Sequence, residues 1–306
     1  MVLLSIGIFF ALIAASTQFA DMEQIQSQIH KIDRDIWIIL LASALLNYIF
    51  RGYRWHFFAE NLNMYIPLPR LALYYACGFA LVTTPGKIGT ALRLWLIKKH
   101  HDYSYSRTAS MMVMDQLTDL IAMILLAVVG LFTFHYVGIA LFLAIGFLCA
   151  VIILLYRPSL IFLLLDKANK IMNQPKFFNA IGDIVINTKS LLSPSLFSFT
   201  TILAIAGWSV SSFSFYLLLQ HLGADVNILT AFFIFNCASV LGALSMLPGG
   251  IGSAEIIMVG LLISVGVPND IAIVSTAVIR VVTLWFAVGI GFISLPFGLK
   301  TAKKAK

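Results

Sequence analysis

The sequence carries little charge. Only 11% of its 306 residues are Asp, Glu, Lys or Arg, whereas an ordinary soluble domain carries about 25%. Apolar residues make up 60% of the chain and the mean hydropathy is +0.97, which leaves too little polar surface to face water. The composition excludes a separate soluble domain. It predicts an all-α integral membrane protein whose single transmembrane domain occupies residues 1–306.

Cysteine is scarce, and the usual metal, disulfide and nucleotide motifs are missing. The three cysteines lie in apolar segments without CxxC spacing, so we expect small buried side chains. The six histidines form no HExxH motif or metal cluster, and the sequence has no Walker loop. We therefore expect no metal and no cofactor. The missing Walker loop argues against an ATP-driven mechanism, and because no nucleophile accompanies the carboxylates, we also expect no enzyme activity.

The net charge of +7 does not indicate binding to nucleic acid. Lys and Arg fall between apolar runs and at the C-terminus, which is typical of the positive-inside rule and of anionic lipid headgroups. Residues 1–20 lack both a basic start and an A-x-A-like end, so they do not fit a signal peptide. We interpret residues 2–19 as the first transmembrane helix.

Six apolar runs approach the ~20 residues that a helix needs to cross the hydrocarbon core. They are residues 2–19, 36–50, 109–134, 139–156, 196–219 and 271–295. Two shorter runs, 71–84 and 88–97, flank Pro85-Gly86, which favours a re-entrant hairpin. In the second half, 229–247 and 251–265 flank the Pro-Gly-Gly sequence at 248–250 and form either a hairpin or two short spans. The total is about eight membrane segments.

The two interruptions have similar sequences. Pro, Gly, Ile, Gly and Ala recur at the same spacing in residues 84–91 and 247–254. This duplication predicts two repeats, 36–134 and 197–296. Between them lies a polar linker, 157–195, which is expected to lie along the cytoplasmic interface as an amphipathic helix.

Loop charge predicts the orientation of the repeats. The basic segments are 51–70, 98–107, 157–195 and the C-terminal tail, and the others are 21–35, 135–138, 220–228 and 266–270. The positive-inside rule places the basic set and both termini in the cytoplasm. The two broken hairpins then enter from opposite faces, so the halves are inverted repeats with a site near the bilayer midplane.

The tips of the two hairpins form the candidate binding site. Pro85 and Pro248 are expected to begin the second half-helix of each unit, where the first N–H groups lack partners. Those N–H groups and the positive dipole ends favour an anion, phosphate in particular. The candidate cradle consists of Pro85, Gly86, Gly89, Pro248, Gly249, Gly250 and Gly252.

Three basic residues are candidates for contact with the anion. Lys87 stands in the first tip, Arg93 follows on the same half-helix, and Arg280 stands in an apolar span. An alternative role for Lys87 and Arg93 is anchoring at the interface. Unpaired Arg inside a membrane costs roughly 3 kcal/mol, so Arg280 needs a carboxylate, a cavity or a bound anion. Arg51 and Arg54 lie among aromatic residues at a helix end and are interpreted as interface residues.

Three carboxylates are available as partners. Asp115 and Asp119 are four residues apart and share one helix face, where pairing with Arg or Lys is favoured over acid–base work or proton coupling. Glu255 follows Gly252 by three residues, which suits a capping residue, and it is also a candidate partner of Arg280. The functional interpretation is that Arg280 exchanges between a carboxylate and a lipid phosphate.

These residues resemble the family named for the transmembrane region of lysylphosphatidylglycerol synthase, the flippase-like domain of the multiple peptide resistance factor. The resemblance covers nearly the whole chain and is most specific over residues 247–255. It rests on Arg54-Trp55, Pro67, Pro85, Gly89, Arg93, Asp115, Asp119, residues 247–255 and Arg280. It implies a lipid flippase, or a stand-alone membrane protein of a polyprenyl-lipid or glycolipid pathway.

The sequence departs from the family pattern at two positions. The family commonly has Gly-Glu before the Arg of the first motif, where this chain has Gly89-Thr90. It also commonly has Arg before the Asp of the next span, where this chain has Gln116 ahead of Asp119. An acid and a base are thus missing together. The sequence shows no aminoacyl-transferase domain, so lipid aminoacylation is not expected of it.

The expected function is movement of an anionic phospholipid or a polyprenyl-phosphate lipid between the leaflets of the cytoplasmic membrane. Lys87, Arg93 and Arg280 would offset the charge of the headgroup at the midplane while the tail stays in lipid. The alternative is a non-transporting accessory or scaffold subunit of a lipid-linked glycosyltransferase. That alternative predicts a stable complex with a lipid-pathway enzyme and no lipid movement by the chain alone.

Overall fold

A computed structural model describes residues 22–84, 88–130, 138–245 and 247–300, together with Gly7. Every regular element within these residues is helical, as the sequence predicts. The α-helices are α1 (Met22–His30), α2 (Arg34–Asn61), α3 (Leu68–Cys77), α4 (Ile88–His101), α5 (Tyr105–Val128), α6 (Gly138–Tyr156), α7 (Pro158–Met172), α8 (Pro175–Ser190), α9 (Pro194–His221), α10 (Ile228–Leu244), α11 (Ser253–Ser264), α12 (Asn269–Arg280) and α13 (Phe286–Lys300).

The local sequence determines where several of these helices begin. Pro occupies the first turn of α3, α7, α8 and α9, where its missing N–H group has no intrahelical partner to lose. Ser104 accepts a hydrogen bond from Arg107 N before α5, and Asn227 accepts one from Thr230 N before α10. These side chains satisfy N–H groups that the helix itself leaves unpaired.

Among the described residues, four stretches are long and apolar enough to cross a membrane. They are α2, α5, α9 and the continuous stretch Asn269–Lys300, which joins α12 and α13. A fifth candidate combines Leu148–Tyr156 with Pro158–Met172, which bend by 89° at the junction. The four stretches contain the predicted spans 36–50, 196–219 and 271–295 and most of 109–134, whereas the bent candidate shares only 148–156 with the predicted span 139–156. The predicted span at 2–19 lies outside the described residues, apart from Gly7.

Both predicted helix interruptions are present. After α3 the chain continues as a 3-10 turn, Gly78–Leu81, and α4 begins at Ile88. After α10 comes a second 3-10 turn, Pro248–Gly250, and then α11. The apolar stretches Leu68–Leu81, Ile228–Leu244 and Pro248–Ser264 are all shorter than the four spanning stretches.

The second half-helix of the second unit does not begin at Pro248, contrary to the prediction. Pro248 opens the separate 3-10 turn, and α11 begins five residues later at Ser253. The cause is backbone conformation, because Gly249, Gly250 and Gly252 have φ angles of +63°, +67° and +92°. Such angles are available to glycine at little cost but cannot continue a right-handed helix.

Two long helices and the connections after them match at a constant offset. α2 and α9 both contain 28 residues, and α9 begins 160 positions after α2. Each helix is followed by a left-handed residue, Asn63 or Gly223. The next amide bonds back into the helix at the same place, Met64 N to Ala59 O at 2.8 Å and Ala224 N to Leu219 O at 2.9 Å.

The two matching helices pack against each other in opposite directions. His221 Nε2 lies 2.8 Å from Lys31 O, just before α2. Further along, Asn47 Nδ2 donates to Gly207 O at 2.7 Å, and the Phe57 and Phe199 rings lie 4.9 Å apart. Along these contacts the residue numbers increase in α2 and decrease in α9, so the two helices are antiparallel. The packing around this pair is reciprocal, because α5 packs on α10 and α13 packs on α3.

Helices α1, α7 and α8 lie in the predicted polar segments 21–35 and 157–195. The segment 21–35, predicted only as polar, contains α1, where Gln28 Nε2 donates to Asp270 Oδ2 at 2.6 Å. The linker 157–195 contains two helices, α7 and α8, where we expected one. No residue of α7 is buried, and both helices combine exposed apolar side chains with lysines. That composition is typical of helices at a membrane surface.

Candidate functional site

A buried ion-pair cluster joins α2 to α5. Arg54 is completely buried, and its Nη2 donates to Asp115 Oδ1 and, at 2.7 Å, to Asp119 Oδ1. Arg51 Nη2 donates to the other oxygen of Asp119 at 2.5 Å. The two aspartates share a face of α5 because they are one helical turn apart. Their expected pairing with arginine is therefore confirmed.

Arg51 and Arg54, interpreted as interface residues from the sequence, are both largely enclosed by protein; their depth in the membrane stays a prediction. Arg54 has no exposed surface, and only 21% of the Arg51 side chain is exposed. Two carboxylates on a buried face of α5 require cations from a neighbouring helix, and α2 supplies both. The sequence contained a signal for this pairing. Arg51 and Arg54 are three residues apart, and Asp115 and Asp119 are four apart, so each pair can occupy one face of its helix.

Arg93 lies beside this cluster in an aromatic environment. It is 5% exposed, and its guanidinium carbon lies 3.8 Å from the ring centre of Tyr75 and 5.3 Å from those of Trp55 and Phe79. Its Nε donates to Tyr75 O at 3.1 Å. Cationic guanidinium groups are stabilised over aromatic faces. The hydroxyl of Tyr75 also donates to Asp115 Oδ2 at 3.3 Å, so Tyr75 connects Arg93 to the ion-pair cluster.

Two glycines make room for this arrangement. A Cβ atom at Gly78 would lie 2.7 Å from Arg93 Cγ and 2.9 Å from its Cδ, and closer still to Nε. A Cβ at Gly291 would collide with the backbone of Phe79 and Ala80. The glycines therefore let Arg93 lie across the 3-10 turn on one side and let α13 approach that turn on the other.

Arg280 belongs to a second, separate set of contacts. Its Nε donates to Glu255 Oε1 at 2.6 Å and its Nη2 donates to Gly249 O at 2.7 Å. The other oxygen of Glu255 accepts from Gly252 N at 2.8 Å, so its predicted capping role is confirmed. Of the candidate carboxylates, Glu255 is the partner of Arg280. Together these bonds hold the second tip against α12.

The two interruptions approach each other. A Cβ at Gly249 would lie 3.6 Å from Thr83 Cγ2 and 3.4 Å from Leu284 Cδ1. Ile251 and Leu284 form a small apolar cluster against which Val82 packs. The end of the first broken helix is thus in van der Waals range of the second tip, although the two lie far apart in the sequence.

The first tip itself is only partly described. Pro85, Gly86 and Lys87 lie outside the described residues, and Gly89 lies in the first turn of α4. The structure brings Arg93, Asp115 and Asp119 together and holds Arg280 with Glu255, Gly249 and Gly252. Within the described residues, no group of three or more His, Cys, Asp or Glu side chains is suited to hold a metal ion.

Comparison with known proteins identifies the family. The model of the lysylphosphatidylglycerol synthase transmembrane region matches residues 2–291 of this chain. The chain belongs to this family.

Several proteins similar to this member of the lysylphosphatidylglycerol synthase transmembrane family carry the name UPF0104 membrane protein. The protein of Pyrococcus horikoshii is 25% identical over 84% of this chain and 86% of its own length. A protein of Methanocaldococcus jannaschii is 26% identical over 58% of this chain and 76% of its own length. A protein of Methanothermobacter thermautotrophicus is 34% identical over 30% of this chain and only 28% of its own length. These names describe membrane proteins and state no activity.

Both departures from the family pattern fall in the first half. Thr90 lies in the first turn of α4, and Gln116 follows Asp115 on α5, half-buried. The second half has the pair Arg280 and Glu255. In this member of the lysylphosphatidylglycerol synthase transmembrane family, the two positions named as departures thus carry the neutral side chains of Thr and Gln.

Tyr75 is the functional candidate that sequence reasoning missed. It contacts Arg93 through both its ring and its carbonyl, and it contacts Asp115 through its hydroxyl. In the sequence it is one of two adjacent tyrosines in an apolar run, which is a common pattern in membrane helices. Only the position of α4 over α3 distinguishes Tyr75 from its neighbour.

Proposed function

We propose that this chain moves an anionic phospholipid or a polyprenyl-phosphate lipid between the leaflets of the cell membrane, with both termini in the cytoplasm. The observation that carries the proposal is an excess of arginine inside the helix bundle. Arg51, Arg54, Arg93 and Arg280 are matched by the carboxylates of Asp115, Asp119 and Glu255. The bundle core therefore carries one more positive than negative side chain among these groups.

An unmatched guanidinium in such a place favours a bound anion. Placing Arg within the hydrocarbon region costs roughly 3 kcal/mol or more, and intramembrane charges commonly mark a substrate path. The phosphate of a lipid can offset that charge because Arg binds phosphate oxygens through charge-assisted hydrogen bonds. Its hydrocarbon tail can remain in the surrounding bilayer while the headgroup passes through the protein.

The proposed site lies between two inverted repeats, 36–134 and 197–296. The matching helices α2 and α9 support this relation, because they are antiparallel and touch at equivalent positions, Asn47 and Gly207. Inverted repeats place their broken helices at a shared central site. The packing of Val82 against Ile251 and Leu284 agrees with that arrangement. In this proposal Pro85, Gly86 and Lys87 complete the first side of the site.

The test is lipid reorientation in proteoliposomes containing fluorescent phosphatidylglycerol or a fluorescent polyprenyl phosphate. We expect the wild-type protein to accelerate movement of at least one of these lipids over protein-free vesicles. The variant Arg280→Ala should lose this acceleration, because the second tip then loses its contacts to α12. The matched control is Arg34→Gln, which neutralises an exposed arginine at the start of α2.

Two results would count against the proposal. If folded wild-type protein moves neither lipid, the accessory-subunit function gains support, and co-purification with a glycosyltransferase becomes the next measurement. If Arg280→Ala moves lipid at the wild-type rate, the site lies elsewhere.

A further inference from the structure

Arg93 differs from the other three arginines of the bundle. Arg51, Arg54 and Arg280 each form an ion pair with a carboxylate. Arg93 forms none with any described residue, and these include every Asp and Glu of the sequence except Asp21. A guanidinium that is 95% buried thus has a hydrogen bond to one carbonyl and aromatic contacts, without an opposite charge in contact.

The surroundings of Arg93 leave one part of it for a ligand. Tyr75 covers a face of the guanidinium at 3.8 Å, and Nε is already engaged by Tyr75 O. Within the described part of the chain, no carboxylate or carbonyl oxygen bonds to the two terminal nitrogens, and the Tyr75 side chain is the polar protein group that interacts with them. The edge that carries these nitrogens presents parallel N–H groups, which is the geometry that binds two oxygens of a phosphate group.

The neighbouring cluster does not neutralise Arg93. Asp115 accepts from Arg54 and from the Tyr75 hydroxyl, and Asp119 accepts from Arg51 and Arg54. Two carboxylates are therefore shared by two arginines before Arg93 is counted. The described part of this cluster has one positive charge left over, and a single bound oxyanion would balance it.

Arg280 is bound in a different way. Its Nε and Nη2 are engaged by Glu255 and by Gly249 O, and Glu255 in turn caps α11. These contacts join the second tip to α12 with the charge already neutralised. Releasing Arg280 to bind a ligand would leave the Glu255 carboxylate, which is only 12% exposed, with the Gly252 N–H but no cation, which is unfavourable.

From these contacts we infer that Arg93, over the Tyr75 ring, is the residue that contacts the phosphate group of the lipid, and that Arg280 positions the second tip. This inference rests on the proposed function and divides the roles of its basic residues. Phosphodiester lipids, phosphomonoester lipids and free inorganic phosphate all have oxygens that can accept hydrogen bonds from Arg93. The experiment must therefore distinguish these three ligands.

The test is a titration of purified protein in non-ionic detergent, with thermal stability as the measure of binding. The probes are dihexanoyl phosphatidylglycerol, dihexanoyl phosphatidylcholine, farnesyl phosphate and inorganic phosphate. We expect wild-type protein to bind at least one anionic lipid more tightly than the zwitterionic one. Arg93→Gln should weaken that binding about tenfold or more, the effect of losing one charged hydrogen-bonding group, while phosphatidylcholine binding stays unchanged.

Further variants keep the result interpretable. Arg93→Lys keeps the charge but not the planar fork, so it should bind more weakly than wild type and more tightly than Arg93→Gln. Arg280→Lys should lower the melting temperature of the empty protein and leave the preference for the anionic lipid within about twofold. Arg34→Gln is the control for loss of an exposed arginine.

The possible outcomes separate the two proposals. The assignment of Arg93 would be overturned if Arg93→Gln still preferred the anionic lipid over phosphatidylcholine as strongly as wild type. It would also be overturned if Arg280→Lys lost this preference and the Arg93 variants kept it. Equal binding of inorganic phosphate and lipid would overturn it as a lipid contact. Selective binding that depends on Arg93, without any movement in proteoliposomes, would uphold this assignment and refute the transport proposal. If Arg93→Gln does not fold, the comparison of Arg93→Lys with wild type decides.

Discussion

Asn47 Nδ2 donates a hydrogen bond to Gly207 O at 2.7 Å, and the two residues stand 160 positions apart. The same offset relates the starts of α2 and α9. The contact therefore joins residues at the same place in two helices of equal length, 14 residues into each. Asn47 Nδ2 also lies 3.1 Å from Ser211 Oγ, so one side chain serves two residues of α9.

Replacing Gly207 with Leu should destabilise the protein, because a Cβ there would already lie 3.3 Å from Asn47 Nδ2. Overpacking of a close contact costs about 1–3 kcal/mol. The measurement is thermal unfolding in detergent. Gly289→Leu is the matched control, because that glycine is exposed and has no atom within 4 Å of its Cβ position. Equal melting temperatures for the two variants would show that the α2–α9 contact is not close.

Replacing Gly78 with Ala should displace Arg93 without removing any charge. The new methyl group would overlap the Arg93 side chain at Nε, Cγ and Cδ. We expect weaker binding of anionic lipid, comparable to that of Arg93→Gln, and little change for zwitterionic lipid. Gly52→Ala is the control, since nothing lies within 4 Å of a Cβ at Gly52. Normal anionic binding by Gly78→Ala would argue against the position of Arg93 described above.

Removing Arg54 should be more damaging than removing a surface ion pair. Arg54→Leu leaves Asp115 buried without a cation, and such losses typically cost about 3–5 kcal/mol. The double variant Arg54→Leu/Asp115→Leu should recover part of the stability, because Asp119 keeps Arg51. Unfolding of single and double variants measures the coupling. An additive result would mean that the two side chains do not interact.

Lys98 and Asp102 provide the surface comparison for that experiment. Their ion pair is 2.7 Å long, but the two side chains are 40% and 85% exposed. Solvent screens such pairs, so Lys98→Gln should change the stability by about 0–1 kcal/mol. A larger effect would indicate a further role for this part of α4.

Tyr48 should stabilise a local irregularity in the last span. Residues 281–285 form a π-helical turn directly after Arg280, and Tyr48 Oη donates to Thr283 O at 2.8 Å. Tyr48→Phe should cost about 1 kcal/mol and speed amide exchange in this turn. Tyr53→Phe is the control, because Tyr53 is 42% exposed and contacts neighbours only through its ring in the described residues. Unchanged exchange in Tyr48→Phe would show that the turn is stable without this bond.

Much of the helical organisation could be predicted from the sequence. The lengths of the apolar runs predicted α2, α5, α9 and the last span, because the thickness of a bilayer sets the length of a crossing helix. The Pro-Gly motifs predicted both interruptions. The predicted start of α11, at Pro248, was wrong. Glycines with positive φ angles delay the helix to Ser253, and a sequence pattern does not reveal φ angles.

The sequence by itself determined that this is a helical membrane protein with two similar interruptions and a few charges in apolar surroundings. Those properties follow from local composition and spacing. Only the tertiary structure decided which charges meet: Asp115 with Arg54, Glu255 with Arg280, and Arg93 with the Tyr75 ring in place of a carboxylate. The physical reason is that ion pairing depends on distance and burial, and residues far apart in the chain acquire both only when the helices pack.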